Sequence, residues 1–360
     1  MEIVERAAGP TSEGAGVYLP GNAVRALHAL GLGTQVVDEA APIVVQRTAD
    51  HHGRLLFDLD VAQWWSGVGP CVALRRAALH QILLAGIEDV PIQWGAEPAA
   101  LQVETNGVTV GFGTGHSERY DVVLGADGVH SSVRRLVFGP EAIRPVGQVA
   151  RRFVLPQPHQ PHQPQQPDQR EQWSVLLGRG SAFLTIPIGD GLVYCYCDGP
   201  PGEPPQPLDV LLADYAEPVP SLLAALDAAG ETSVVQTGVI EEVALESWSR
   251  GGVLLIGDAA HATSPNMAQG VAMALEDALV LVESLTAAAD VRAALEAYEL
   301  RRRRRTDWVR AQTHRRDRAR SLPPALRGVA LRWFGQRVFE SNYALCANSP
   351  DRPPTGGDVA

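Results

Sequence analysis

Gly251-Gly-Val-Leu-Leu-Ile-Gly257-Asp258-Ala-Ala-His261-Ala-Thr-Ser-Pro265-Asn-Met-Ala268-Gln269-Gly270 is the segment on which the sequence turns. The apolar run at 253–256 has the length and composition of a buried strand. It ends in Gly257-Asp258, which sets a carboxylate at the carboxyl end of a sheet strand, where ligands gather in α/β folds. A carboxylate there suits the hydroxyls of a sugar-like chain. Pro265 to Gly270 form a loop whose N–H groups lead into a periodic helix, and that helix start favours negative charge on a bound ring system. Along the helix Val271, Ala274, Leu275, Ala278, Val282 and Leu285 recur at i+3 and i+4 and are expected to face the core. Glu276, Asp277 and Glu283 fall off that stripe.

A second strand–Gly–Asp unit lies about 130 residues earlier: Asp121-Val-Val-Leu-Gly125-Ala-Asp127-Gly128-Val-His130-Ser131-Ser132-Val-Arg134. Gly125 and Gly128 let the backbone turn sharply and approach a ligand. The helix opened by Ser131 or Ser132 offers N–H groups and positive dipole character suited to pyrophosphate, with Arg134 one turn in. Either unit alone is weak, because an acidic residue capping a helix gives the same pattern. The two together form a specific signal.

The rest of the chain supports an α/β architecture. Helices are expected at 21–30 and 76–84, a strand pair at 43–60, and short strands at 100–104, 107–112 and 121–124 with a turn at Asn106-Gly107. Segments 173–177, 182–187 and 192–197 read as antiparallel strands, interrupted by proline-rich stretches at 156–168 and 200–207. The first of these is expected to be an extended surface loop. Helices follow to about 340, broken at Pro323-Pro324, and the last dozen residues are expected to be disordered. The division expected is 1–45, 70–139 and 246–290 as one domain, 46–69 and 140–245 as a second, 291–345 as a helical region and 346–360 as a tail.

Composition narrows the function. The 360 residues carry a formal charge of −11, with no lysine at all, which argues against a nucleic-acid partner. The arginine run from Arg301 to Arg305, continuing through Arg310 to Arg320, reads as a solvated helix face. No run approaches the roughly 18–20 apolar residues of a membrane span, so no membrane partner is expected. No secretory signal is evident, and a cytoplasmic location follows. Cys71, Cys195, Cys197 and Cys346 fit neither a disulfide framework nor a zinc site, and no metal is expected. Cys195 and Cys197 share one strand face and read as packing residues, a redox pair being the alternative.

These two units resemble the second and third FAD-binding motifs of the para-hydroxybenzoate hydroxylase-like flavoprotein monooxygenases, the FAD-dependent aromatic hydroxylases of class A. The likeness covers Gly-Ala-Asp127-Gly128 with His130, Ser131 and Arg134, and Gly-Asp258-Ala-Ala-His261 with Pro265 and Gln269-Gly270. It extends to Val4-Glu5-Arg6, similar to the end of the second strand, whose acidic residue holds the adenosine ribose. The segment from Gly14 to Asn22 resembles the loop that follows. Arg76 resembles the arginine near the flavin's phosphate–ribityl region. It is weakest at 140–245 and beyond 320.

The resemblance implies a Rossmann-like FAD-binding domain interleaved with a mostly antiparallel substrate sheet, followed by C-terminal helices. It implies that Glu5, Arg6, Arg76, Asp127, Gly128, Asp258, Pro265, Ala268, Gln269 and Gly270 hold the cofactor. Ala268 stands where many relatives carry glycine, and its small size predicts little effect. It implies reduction of FAD by NAD(P)H, reaction with O2 to a C4a-hydroperoxide, and transfer of one oxygen to an electron-rich small molecule, with no protein nucleophile required. His261 is expected to fix its loop. Trp173, Phe183, Tyr194 and Tyr196 are candidate walls of the substrate pocket, and a monomer or homodimer is expected. Flavin-dependent halogenases resemble this chain less: they use a lysine, absent here, and a Trp-x-Trp-x-Ile-Pro segment that is missing. Epoxidation, Baeyer–Villiger chemistry and hydride transfer without oxygen insertion stay open.

One departure is large. The family begins with a strand and a Gly-x-Gly-x-x-Gly turn some 20 residues before the ribose carboxylate. Here the carboxylate candidate is already Glu5. The first βα unit, which would hold the diphosphate and supply a central strand, is missing from this sequence. The expected reading is that this sequence is a piece of a longer, ordinary monooxygenase. The chain as written is expected to hold FAD weakly, and an N-terminally truncated, catalytically impaired flavoprotein-like binding protein is the alternative function.

Overall fold

The computed structural model describes residues 1–10, 15–113, 115–139, 142–157, 171–202, 204–230 and 234–348. The proline-rich stretch at 158–168, the last dozen residues and part of the loop before Asn22 lie outside them.

The largest element is a seven-stranded sheet in the order Gln236–Val243, Ile143–Pro156, Leu192–Gly199, Ala182–Pro187, Gln172–Leu177, Val45–Asp50 and Leu55–Asp60. Every junction is antiparallel except that between Gln172–Leu177 and Val45–Asp50, which run parallel with Trp173 opposite Gln46. Alternation sorts the side chains onto two apolar faces. Trp173, Ile186, Tyr194 and Tyr196 pack on one with Met267, while Leu176, Phe183, Cys195 and Cys197 pack on the other with Tyr215 and Leu222. The fold is thus mixed α/β with a large, mostly antiparallel sheet and C-terminal helices.

Outside the large sheet, the parallel strands among the described residues form two separate pairs, not one continuous sheet. Ile3–Glu5 pairs with Ile92–Trp94, and Val123–Gly125 pairs with Val253–Leu255. The second pair is in register, Val123 opposite Val253 and Gly125 opposite Leu255, so both Gly-Asp turns leave the same end of one sheet. A meander of Pro98–Glu104, Gly107–Phe112 and Ser117–Tyr120 packs beside them, its first turn closing at Thr105-Asn106.

Three long helices end the described chain: Gly270–Ala287, Val291–Arg320 and Pro324–Ala347, and the shorter Gly21–Ala29 helix, which carries Asn22, packs against the first of them. The first buries a different face from the one its apolar periodicity suggests. Of the six stripe positions only Leu275 is buried; Val282 and Leu285 are exposed, while Glu276 and Asp277 are fully inside. The reason lies in the next helix, the arginine-rich one. Arg302 donates to Asp277 at 2.7 Å and to Glu276 at 2.9 Å, and Arg305 reaches Glu276 at 3.0 Å. Arg302 and Arg305 are themselves buried, so two members of the arginine run are core residues and not a solvated face. Carboxylates enter a core when cations of matching geometry enter with them.

The C-terminal helix continues past the expected limit at 345. Cys346 is fully buried, and the Ala347 and Asn348 carbonyls accept from Arg25, the latter also from Arg305.

Candidate functional site

At the first turn, Gly125 is required by space: a Cβ would sit 2.7 Å from Leu255 and 2.9 Å from Val133. Gly128 takes φ 78, in the left-handed region that glycine tolerates. Asp127 accepts the N–H groups of Ser132 at 2.7 Å and Val133 at 3.0 Å, and Ser131 caps Arg134 N–H at 2.9 Å. Asp127 thus shapes the turn with one oxygen, Oδ2. Arg134 does not reach toward a ligand. It is buried, and its guanidinium donates to the carbonyls of Ala259, at 2.8 Å, and Val129. It is a strut between the two Gly-Asp turns.

The second turn is held from behind. Gly257 has φ 58, and its N–H donates to Asp277 Oδ2 at 2.8 Å; His261 Nε2 meets the same oxygen at 2.7 Å. Burial alone raises the Asp277 carboxyl, but the charges of His261 and Arg302 and the hydrogen bonds from His261 and Gly257 overcome it. They bring the pKa down to about 2. Asp258 itself is exposed, and its carboxylate takes no hydrogen bond among the described residues. It lies over the start of the Gly270–Ala287 helix, where a Cβ on Gly270 would be 4.0 Å from Asp258 Oδ1. An unpaired carboxylate beside the N-terminus of an 18-residue helix fits a polyhydroxyl chain attached to a ring that takes on negative charge.

The loop between them is pinned on several sides. Pro265–Met267 form a 3₁₀ turn, and Ala268 follows at φ 49, ψ 35. Size alone does not describe position 268: alanine fits the space but sits in a left-handed conformation that glycine adopts freely. The Gln269 side chain is buried in a reciprocal amide pair with Asn22, at 3.0 and 3.3 Å, and Asn22 also donates to Glu276. Gln269 is thereby left to meet a ligand through its backbone. Asn266 donates to Asp317 at 2.9 Å, and Tyr343 Oη donates to the Met267 carbonyl at 3.0 Å. Asp277, Arg302 and Tyr343 carried no motif in the sequence, and Asn22 entered only as the end of the loop segment 14–22. The one trace was the three-residue spacing of Arg302 and Arg305, which puts both on one helix face.

Facing the loop, Trp173, Tyr194 and Tyr196 join Tyr18, Trp65 and Met267 in one aromatic cluster, with the Tyr18 and Trp173 rings 4.6 Å apart. Phe183 is not among them. It lies on the opposite sheet face against Phe153, because it is an odd number of residues from Ile186 on the same strand. Burial pushes Tyr194 up to about 12 and Tyr196 well above its ordinary value, so neither phenol ionises near neutrality. Burial also raises the Cys195 and Cys197 thiols, the latter to about 12, as suits packing residues.

Glu5 ends the short strand paired with Ile92–Trp94 and Arg6 follows it; both are exposed, and Glu5 accepts Ala7 N–H at 2.7 Å. Arg76 opens the Arg76–Ala85 helix with its side chain exposed, near enough to Tyr194 to favour that phenolate. No group of three or more His, Cys, Asp or Glu among the described residues is placed to hold a metal, and no described helix is long and apolar enough to cross a membrane.

Comparison with known proteins gives the family of the chain. Residues 1–313 match the FAD binding domain family. The chain is 32% identical over 323 residues to the 2-heptyl-3-hydroxy-4(1H)-quinolone synthase of Pseudomonas aeruginosa, covering 86% of this chain and 81% of that one. It is 28% identical over 318 residues to the aurachin C monooxygenase/isomerase of Stigmatella aurantiaca, covering 86% and 80%. The crystal structure of Klebsiella pneumoniae HpxO complexed with FAD and uric acid superposes with a TM-score of 0.80 at 25% identity, over 96% of this chain and 88% of that one. The chain therefore belongs to the FAD binding domain family, among its FAD-dependent monooxygenases.

Proposed function

We propose that the protein inserts one atom of O2 into a planar, electron-rich aromatic or heteroaromatic molecule, using NAD(P)H as reductant. The observation that carries this reading is the pairing of the unpartnered Asp258 carboxylate and the Gly270 helix start with an aromatic cluster built on Trp173, Tyr194 and Tyr196. Relatives named for a quinolone product and for urate point the same way. When bound, FAD supplies the redox chemistry, accepting a hydride from NAD(P)H and activating O2. Overall, substrate C–H, O2, NAD(P)H and a proton give substrate C–OH, water and NAD(P)+.

The chain's own residues bind, orient and exclude water. Asp258 would accept from the ribityl hydroxyls, and Asp127 with Gly128 would approach the diphosphate–ribityl region. The backbone of Pro265, Ala268, Gln269 and Gly270 would line the ring, with the helix N-terminus stabilising charge there. Glu5, with Arg6 beside it, would meet the adenosine ribose, and Arg76 the phosphate–ribityl region. Trp173, Tyr194 and Tyr196 would sandwich a flat substrate; Phe183, on the far face, would support the sheet and not touch it.

The test is turnover of the FAD-loaded chain under ¹⁸O2 with phenols, 4-quinolones and urate. One labelled oxygen in a product, with matching NAD(P)H consumption, is the expected result. NAD(P)H oxidation that yields only hydrogen peroxide with every substrate would overturn it.

A further inference from the structure

The outer face of the C-terminal helix is apolar and uncovered among the described residues. Leu326, Val329 and Trp333 recur at three- and four-residue spacing, with Phe334 and Val338 on the neighbouring row, and Trp333 is 77% exposed. A stripe of this size is unusual on a soluble surface. Along its own stretch of chain the exposed charge has one sign, although the strand beneath it carries exposed Asp58, paired with Arg47, and Asp60. Between residues 315 and 339 every exposed charged side chain is an arginine: Arg315 and Arg318 at the end of the preceding helix, Arg332 and Arg337 on this one. The single acid in that span, Asp317, is turned inward to Asn266 and Gln148. Glu340, beyond it, accepts from Gln336. This local excess of positive charge stands on a molecule whose formal net charge is −11.

We propose that this face docks on an anionic lipid surface, with Trp333, Phe334 and their aliphatic neighbours seated at the headgroup boundary and the arginines paired with lipid phosphates. An apolar row with aromatic residues and flanking arginines is the pattern of an interfacial helix that lies on a membrane without crossing it. Charge decides against a second copy of the chain. A twofold contact through this face would oppose Arg332 and Arg337 to their own copies, with no exposed carboxylate from 315 to 339 to answer them. The inner face of the same helix places Phe339 and Tyr343 in the aromatic cluster, and Tyr343 holds the loop at Met267. One helix therefore joins the lipid-facing surface to the wall of the substrate site, a route for lipophilic substrates if the proposed reaction holds. The docking itself does not depend on that reaction.

The full chain is sedimented with phosphatidylcholine vesicles, with and without phosphatidylglycerol, at low and high salt. Binding to the anionic vesicles about tenfold or more above the neutral ones, weakened by salt, is expected. Trp333→Glu with Phe334→Glu should abolish it, and Arg332→Gln with Arg337→Gln should remove the anionic preference, both without lowering the melting temperature. Quenching of tryptophan fluorescence by brominated lipid reads the same contact in the unaltered chain. Failure to bind anionic vesicles overturns the proposal, as does binding that survives the Trp333→Glu, Phe334→Glu pair. A concentration-dependent dimer abolished by Trp333→Glu, without lipid binding, would assign the face to a second copy. Binding that appears only after removal of residues 349–360 would assign it to the chain's own tail.

Discussion

Asp277 takes the backbone N–H of Gly257 at 2.8 Å from twenty residues further along the chain, and so holds the turn that presents Asp258. The carboxylate's other oxygen is held by Arg302 at 2.7 Å, and His261 shares the first. The exposed acid is thus aimed by a buried one, and the buried one is kept charged by His261 and by an arginine from a different helix.

Asp277→Asn should therefore act on stability and on the cofactor together. It leaves Arg302 with one of its two carboxylates and breaks a fully buried pair, a change that costs about 3–5 kcal/mol. Urea unfolding of the apo chain measures that loss, and FAD titration should show weaker binding as the Gly257 turn loosens. Unchanged unfolding would show that Glu276 alone satisfies Arg302.

Acid should reach the same pair. The folded pKa of Asp277 lies below its ordinary value of 3.8, at about 2. As pH falls the unfolded chain takes the proton first, so this contribution is complete above about pH 4 and fades as pH drops through about 2. The difference in unfolding free energy between the parent and Asp277→Asn should shrink across that window. A difference constant down to pH 2 would mean that the charge on Asp277 is not what stabilises the fold.

The two Gly-Asp turns should separate by mutation. Asp258→Ala removes an exposed side chain without a partner, so apo stability should hold while the FAD dissociation constant rises at least about tenfold, or 1.4 kcal/mol. Asp127→Ala removes the acceptor of two helix N–H groups and should cost the apo chain about 0.5–2 kcal/mol. Thermal melts of both apo variants and fluorescence titration with FAD distinguish them. Equal melting losses would deny Asp127 its capping role.

Ala268 sits at φ 49, ψ 35. A left-handed L-residue costs about 1–2 kcal/mol, and glycine returns about 0.5–1 kcal/mol of that through the freer unfolded chain. Ala268→Gly should accordingly stabilise the protein by about 0.5–1 kcal/mol in a thermal melt. A lower melting temperature would mean that the Ala268 methyl contributes more by packing than its conformation costs.

What could be read from the residues followed local chemistry. The strand at 182–187 has the expected limits, and both Gly-Asp turns leave the carboxyl ends of paired strands, because turn residues and short apolar runs encode themselves within a few positions. Glu276 and Asp277 were misplaced for the opposite reason. Charge excluded them from the apolar stripe, and the arginines that make their burial tolerable lie 25 to 29 residues away. Arg134 failed likewise, since the Ala259 carbonyl it serves is 125 residues on. Phe183 shows the limit of composition: its aromaticity marked it as pocket wall together with Trp173, Tyr194 and Tyr196, but strand parity sets it on the other sheet face, where it lines a separate cavity with Leu176 and Val193.

The parallel junction between Val45–Asp50 and Gln172–Leu177 sets a schedule for synthesis. The hairpin ending at Asp60 leaves the ribosome early, yet the partner for its inner edge arrives only after the strands and helices between have been made. At ordinary elongation rates that interval is on the order of ten seconds, during which an unpaired strand edge is open to wrong partners. Newly made chains should therefore depend on holding factors during this interval, and refolding from denaturant should be slow, since the sheet cannot close until its most widely separated paired strands meet.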